Sequence, residues 1–305
     1  MKYLENAFKF FGKYLLLSIP LLILVTIPNV IQGSTDRDTV TEMSYQIENL
    51  SLKVTRGELT SEDFLIMTLD ILKPLFMLMI IAQIVSLVLR LIIIPSTYGV
   101  VNKALKEGYA GFDDFLPQLG NNLLKYIIYG IANFVLWLII SIIIAIIAAL
   151  ILFLFIGLGQ ISGPLVGFAI VISVLLGVVI VLGIIAVCYF TIYWFPAMVA
   201  EDLGVISALK KSIEVSKSYF WPTVGITLLI SFMGWVVSVS VAFPLGLIPY
   251  MGVVVSSIPT AIAQFLTIVF LMLVYRDKAI NAQPQDDGIN GSDPNEFRSN
   301  PHEFI

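Results

Sequence analysis

The sequence predicts an all-α integral membrane protein with six transmembrane helices, and its composition and charge pattern carry that prediction. Of its 305 residues, 58% are hydrophobic and only 12% are charged, whereas about 25% of the residues in soluble domains are charged. No Asp, Glu, Lys or Arg occurs from Tyr126 to Ala200 or from Ser218 to Tyr275. Such stretches are stable only where hydrocarbon surrounds them, so the lipid bilayer is the expected solvent.

The span boundaries follow from helix geometry. A helix needs about 20 apolar residues to cross about 30 Å of hydrocarbon, so each uncharged stretch holds two spans, divided at the Gly- and Pro-containing segments 157–164 and 244–249. The predicted spans are 14–31, 64–94, 126–155, 165–195, 221–243 and 250–275. They form a membrane domain over 1–276 with an outer loop at 32–63, and a tail at 277–305 is predicted to be disordered because it is rich in Asn, Asp, Pro and Gln.

Lys and Arg mark the cytoplasmic side of a membrane protein. They flank the first span, the connections after spans two and four, and the end of span six, which predicts that both termini are cytoplasmic. No small-x-small cleavage site follows the first apolar run, so we expect that run to remain as a span.

The loops carry three further patterns. In the outer loop, Val40, Met43, Ile47, Leu50 and Val54 recur at helical spacing and predict an amphipathic helix. Ser61 with two acidic residues indicates an N-cap opening span two. The connections 95–125 and 196–221 each contain a proline and an Ala-Leu-Lys segment before the next span. With 4–14 as a third copy, they suggest three repeated helix pairs with cytoplasmic interfacial helices.

The interfacial helix after span four is predicted to be amphipathic. In that helix Val205, Leu209, Ile213 and Val215 are expected to face lipid, while its lysines face headgroups and water.

Two sets of residues are candidate contact sites. Basic residues near the inner ends of the spans can reach anionic lipid headgroups. They are Arg90, Lys103, Lys106, Lys210 and Lys211. The tail repeats a Pro-x-Glu-Phe pattern that could dock twice on a cytosolic or membrane protein partner. Its residues are Pro294, Glu296, Phe297, Pro301, Glu303 and Phe304.

Several classes of function are disfavoured. A formal net charge of -4 leaves no basic footprint for nucleic acid. The single cysteine, Cys188, and the single histidine, His302, give no metal-ligand motif. No nucleophile-base-acid set and no phosphate-cradling glycine loop appears, so we expect neither a catalytic activity nor a cofactor.

The segment Phe195–Trp221 resembles the prokaryotic membrane proteins related to the glycerophosphodiester phosphodiesterase membrane domain. The positions that match the pattern of that family are Glu201, Gly204, Ala208, Leu209, Lys210, Ser212, Lys217 and Trp221. The resemblance implies a multi-pass protein of the cell membrane whose members are mostly uncharacterised. It implies no phosphodiesterase activity, because that chemistry belongs to a separate soluble domain with several His ligands.

Two hypotheses of function follow from the sequence. The first is a non-catalytic scaffold or accessory subunit that acts through its cytoplasmic face, where the charged and motif-like segments are concentrated. The alternative is a transporter or lipid-handling protein that binds anionic headgroups.

Overall fold

The computed structural model describes residues 2–33, 37–159, 163–245, 248 and 251–280. Within them the chain is helical and contains no β-strand. The α-helices are α1 (Lys2–Lys13), α2 (Ile19–Gln32), α3 (Arg37–Thr55), α4 (Ser61–Glu107), α5 (Phe115–Gly159), α6 (Gly163–Phe190), α7 (Trp194–Ala200), α8 (Val205–Leu245) and α9 (Met251–Tyr275).

The predicted fold class is confirmed, since six segments are long and apolar enough to cross a membrane. They are Leu15–Gln32, Ser61–Glu107, Phe112–Phe153, Ile170–Ala200, Val205–Leu245 and Met251–Ile280. In hydrocarbon every backbone N–H and C=O needs a partner, and a helix satisfies them within one segment. The most apolar windows of the third and fourth spans contain no buried residue, so their side chains are left to lipid.

The end of α4 differs from the prediction. We expected span two to stop at Pro95 and a separate surface helix to follow, but α4 continues to Glu107. The hydroxyls of Ser96 and Thr97 donate to the carbonyls of Ile92 and Ile93 at 2.6 and 2.7 Å. These bonds add side-chain donors to the two carbonyls that follow that of Leu91, the one that Pro95 leaves without a backbone N–H.

The outer loop contains the predicted helix, α3, but the start of α4 is capped one residue earlier than expected. Thr60, rather than Ser61, caps α4, because the Thr60 hydroxyl accepts the backbone N–H of Asp63 at 3.1 Å. Thr60 also donates to the Asp63 carboxylate at 2.7 Å. This reciprocal pairing satisfies an N–H that has no partner within the helix.

The described residues form two compact units. The first comprises those within 1–7, 98–227 and 268–305, and the second those within 8–97 and 228–267. In the second unit the rings of Phe10 and Phe11 lie about 6 Å from that of Phe265, and the hydroxyls of Ser238 and Thr260 share a hydrogen bond of 2.9 Å.

In the first unit, hydroxyl groups of α8 fasten it to the end of α6. Ser212 donates to the carbonyl of Phe190 at 2.7 Å, and Ser216 donates to that of Tyr189 at 2.9 Å. The expectation that Val215 faces lipid is wrong, because Val215 is buried on this same packed face of α8. Non-helical dihedral angles at Tyr219 then kink α8 between its first part and its span.

The last described segment is a π-helical turn, Arg276–Ile280, that extends α9. Residues 277–280, which the sequence assigned to the disordered tail, are therefore helical. Asp277 accepts a hydrogen bond from the Tyr3 hydroxyl. The Lys278 ammonium lies over the Tyr219 ring, 5.5 Å from its centroid. These contacts hold the turn, and the predicted docking residues of the tail lie outside the described residues.

Candidate functional site

A polar cavity of about 690 Å³ opens in the first unit. Its wall is formed by the end of span two, the start of span three, the end of span four and the end of span six. The lining residues are Asn102, Lys106, Gln118, Asn121, Asn122, Lys125, Val199, Ala200, Glu201, Asp202, Arg276 and Ile280. Only Val199, Ala200 and Ile280 among them are apolar.

A chain of hydrogen bonds joins three helical segments at this cavity. The Arg276 guanidinium donates from Nη1 to Asn102 Oδ1 at 3.0 Å. Asn102 in turn donates from Nδ2 to the backbone carbonyl of Val199 at 3.2 Å. The Asn102 side chain therefore fixes the guanidinium relative to α4 and α7 while using only one of its five N–H donors.

The two carboxylates of the cavity have different partners. Glu201 accepts a hydrogen bond from the hydroxyl of the fully buried Tyr275 at 2.5 Å. Asp202 is exposed and forms an ion pair with Lys125 at 2.8 Å. The hydrogen bond that Lys125 donates to Asp202, and then the positive charge of Lys125, lower the pKa of the Asp202 carboxyl below its ordinary value. Asp202 is therefore a carboxylate at neutral pH.

An aromatic cluster lies beside the cavity in the same unit. The Phe195 ring is 5.1–5.4 Å from the rings of Tyr98, Tyr126 and Tyr129, and Trp194 meets Tyr129 edge-on at 5.5 Å. Tyr and Trp are enriched at the headgroup level of membranes. The cluster joins α4, α5 and α7 through ring contacts.

Gly99 lets α4 approach α5 closely at the cavity wall. A Cβ at this buried position would lie 2.5 Å from Asn122 Nδ2, 2.6 Å from Gln118 Oε1 and 2.8 Å from Gln118 Cβ. Ordinary van der Waals contact starts near 3.4 Å, so no larger residue fits without displacing Gln118.

The structure brings one of the predicted headgroup residues, Lys106, to the cavity wall. Lys103 instead pairs with Asp114 at 2.6 Å and lies 3.9 Å from Glu107, and Lys211 pairs with Glu214 at 3.4 Å. Arg90, which lies in the second unit, and Lys210 are exposed on their helices. For these four residues headgroup contact stays a prediction.

Sequence reasoning missed most of the cavity. Charge counting uses Lys125 and Arg276 only to orient the spans, and no spacing rule brings Glu201 and Asp202 to the same cavity as these cations. The available signal was that polar residues follow or precede several spans on one side. Their mutual contacts, such as Arg276 with Asn102, join positions too far apart in the chain for any spacing rule.

Among the described residues no group of three or more His, Cys, Asp or Glu side chains could hold a metal ion. No family of known proteins, no curated protein and no solved structure matches this chain. The family resemblance of Phe195–Trp221 stays a prediction.

Proposed function

We propose that this chain is a non-catalytic, lipid-handling membrane protein that binds a phospholipid headgroup through its phosphate in the polar cavity. The observation that carries the proposal is that Lys106 and Arg276 line the cavity without an ion pair to any described carboxylate. The nearby Lys103 and Lys125 both have one. The cavity lining thus includes two cations that form no ion pair with a carboxylate in the described part of the chain.

The half-buried Arg276 gives this charge imbalance an energetic consequence. Withdrawing a cation from water is unfavourable unless an anion or several acceptors replace the water. Asn102 supplies one neutral acceptor, and the remaining guanidinium donors match the geometry of phosphate oxygens. Lys106 adds an exposed ammonium to the same cavity lining.

The size of the cavity also suits a ligand, because binding sites for small molecules commonly measure about 300–1,000 Å³. We infer from the distribution of Lys and Arg that the cavity faces the cytoplasm and that both termini lie there. Residence in the cell membrane follows from the family resemblance and belongs to the same proposal. The scaffold hypothesis stays a prediction, since its docking residues lie outside the described part of the chain.

Lipid binding to the purified protein in detergent, measured by native mass spectrometry with phosphatidylglycerol as the probe, tests the proposal. Lys106→Gln should weaken binding about tenfold, the change expected from one charge-assisted hydrogen bond. Lys53→Gln removes the same charge from an exposed position on α3, outside the cavity, and should leave binding unchanged. Equal affinities for the two variants would overturn the proposal.

A further inference from the structure

The cavity is lined by carboxylates as well as by cations. A site that binds only an anion would not need the carboxylates. Asp202 is committed to Lys125. Glu201 uses Oε1 for the Tyr275 hydroxyl, and within the described part of the chain Oε2 of the same carboxylate has no hydrogen-bond partner. One carboxylate oxygen is therefore left for a ligand.

The surroundings hold the Glu201 carboxylate in place. The Tyr275 ring that donates to it is fully buried, and it packs 6.5 Å from the equally buried Tyr193. Tyr193 is itself fixed by a hydrogen bond of 2.6 Å to Thr223. A carboxylate anchored in this way cannot swing away when an anion enters, so an anionic ligand without a cationic group would meet fixed repulsion.

Opposite charges therefore occupy one cavity without neutralising each other. No ion pair within 4.0 Å connects Glu201 with Arg276 or Lys106 in the described chain, although all three side chains line the same space. Such an arrangement complements a ligand that carries both charges.

We propose that the ligand bears a phosphate together with a primary ammonium group, with the phosphate at Lys106 and Arg276 and the ammonium at Glu201. This inference rests on the proposed function and narrows it to one headgroup class. A primary ammonium has three N–H donors for carboxylate and amide oxygens, and the exposed side chain of Asn121 and the half-buried side chain of Gln118 supply such oxygens at the wall. The chemistry is that of an aminophospholipid headgroup or of its soluble phosphate ester.

The site should discriminate between headgroups by what each one lacks. Phosphatidylglycerol keeps the phosphate but has no cation for Glu201. Phosphatidylcholine keeps the positive charge but has no N–H donor. Phosphatidylethanolamine has both, and specificity arises because the poorer ligands leave the half-buried Glu201 carboxylate without a hydrogen-bonded cation.

The experiment compares these lipids by competitive native mass spectrometry. The wild-type protein should bind phosphatidylethanolamine about tenfold more tightly than phosphatidylglycerol. Glu201→Gln should abolish that preference by weakening the binding of phosphatidylethanolamine, while phosphatidylglycerol should bind at least as tightly as before. Gln still accepts the Tyr275 hydroxyl but loses the charge that attracts the ammonium and repels a plain anion. Glu214→Gln is the matched control, since Glu214 is exposed, pairs with Lys211 and lies outside the cavity.

The outcomes separate this inference from the proposed function. If Lys106→Gln weakens binding but the wild-type protein binds both lipids equally, only the ammonium assignment is overturned. If Glu201→Gln weakens both lipids equally, the assignment is likewise overturned. Displacement of the lipid by O-phosphoethanolamine but not by glycerol phosphate supports the assignment and identifies a soluble source. If neither soluble ester displaces the lipid while the preference for phosphatidylethanolamine remains, the ammonium assignment is supported and the lipid itself is the ligand.

Discussion

Substitution of Gly99 by alanine is the sharpest test of the helix packing that forms the cavity wall. The added Cβ would lie 2.8 Å from the Cβ of Gln118, an atom that no change of rotamer can move. It would also lie within 2.6 Å of two side-chain ends, those of Gln118 and Asn122. Those ends can rotate away, but only by altering the polar lining of the cavity.

The magnitude follows from two opposing effects. Overpacking of a close contact costs about 1–3 kcal/mol, whereas replacing a helical glycine by alanine gains about 0.5–1 kcal/mol. The net expectation is a loss of about 1–2 kcal/mol in the free energy of unfolding. Binding of phosphatidylethanolamine should weaken as well, because Gln118 and Asn122 both line the cavity.

Gly120→Ala provides the matched control on α5. A Cβ there meets no atom within 4 Å, so this variant should be as stable as the wild type or slightly more stable. Thermal unfolding in detergent, followed by Trp fluorescence, compares the two variants. A Gly99→Ala protein that unfolds at the same temperature as Gly120→Ala, with lipid binding intact, would refute the close approach of α4 to α5.

Further substitutions test four separate features. Asp202 has a φ of 56°, so Asp202→Ala should be about 1–2 kcal/mol less stable than Asp202→Gly in thermal unfolding, and identical melting would contradict the left-handed backbone. Because Lys125 lowers the pKa of Asp202, the wild type should be more stable against unfolding than Asp202→Asn above about pH 4. This difference in stability should vanish as the pH falls through the lowered pKa of Asp202. A difference that survives in acid counts against the ion pair. Asn102→Ala should lower the free energy of unfolding by about 1–3 kcal/mol, because the Val199 carbonyl and the Arg276 guanidinium each lose a hydrogen-bond partner. An unchanged unfolding temperature would argue against that hydrogen-bond chain. In the second unit a Cβ on Gly234 would lie 2.7 Å from the Cβ of Ala263. Gly234→Ala should therefore lower the unfolding temperature, and adding Ala263→Gly should restore it. If the second change does not restore the unfolding temperature, Gly234 does not pack against Ala263.

The six spans could be predicted because they depend on local composition. The uncharged run from Tyr126 to Ala200 must lie in hydrocarbon, whatever the rest of the chain does. The ends of the helices were less predictable: α4 continues through Pro95 to Glu107, and Thr60 takes the capping position from Ser61. Both outcomes depend on local contacts that composition does not specify.

The cavity could be predicted only in part. Lys106 was identified from its place near the end of span two, and charge counting can do no more than that. Whether a lysine remains uncompensated depends on contacts between distant segments. The pairing of Lys125 with Asp202 at 2.8 Å and of Tyr275 with Glu201 leaves Lys106 and Arg276 as the available cations, and neither pairing follows from sequence spacing.

Photo-crosslinking with a phosphatidylethanolamine analogue that carries its reactive group near the headgroup phosphate tests the central claim most directly. Mapping of the adducts by peptide mass spectrometry should place them on the peptides that contain Lys106, residues 118–125 and residues 199–202, and Lys106→Gln should reduce them strongly. Adducts spread over exposed positions such as Lys210, and insensitive to Lys106→Gln, would contradict a headgroup site in this cavity.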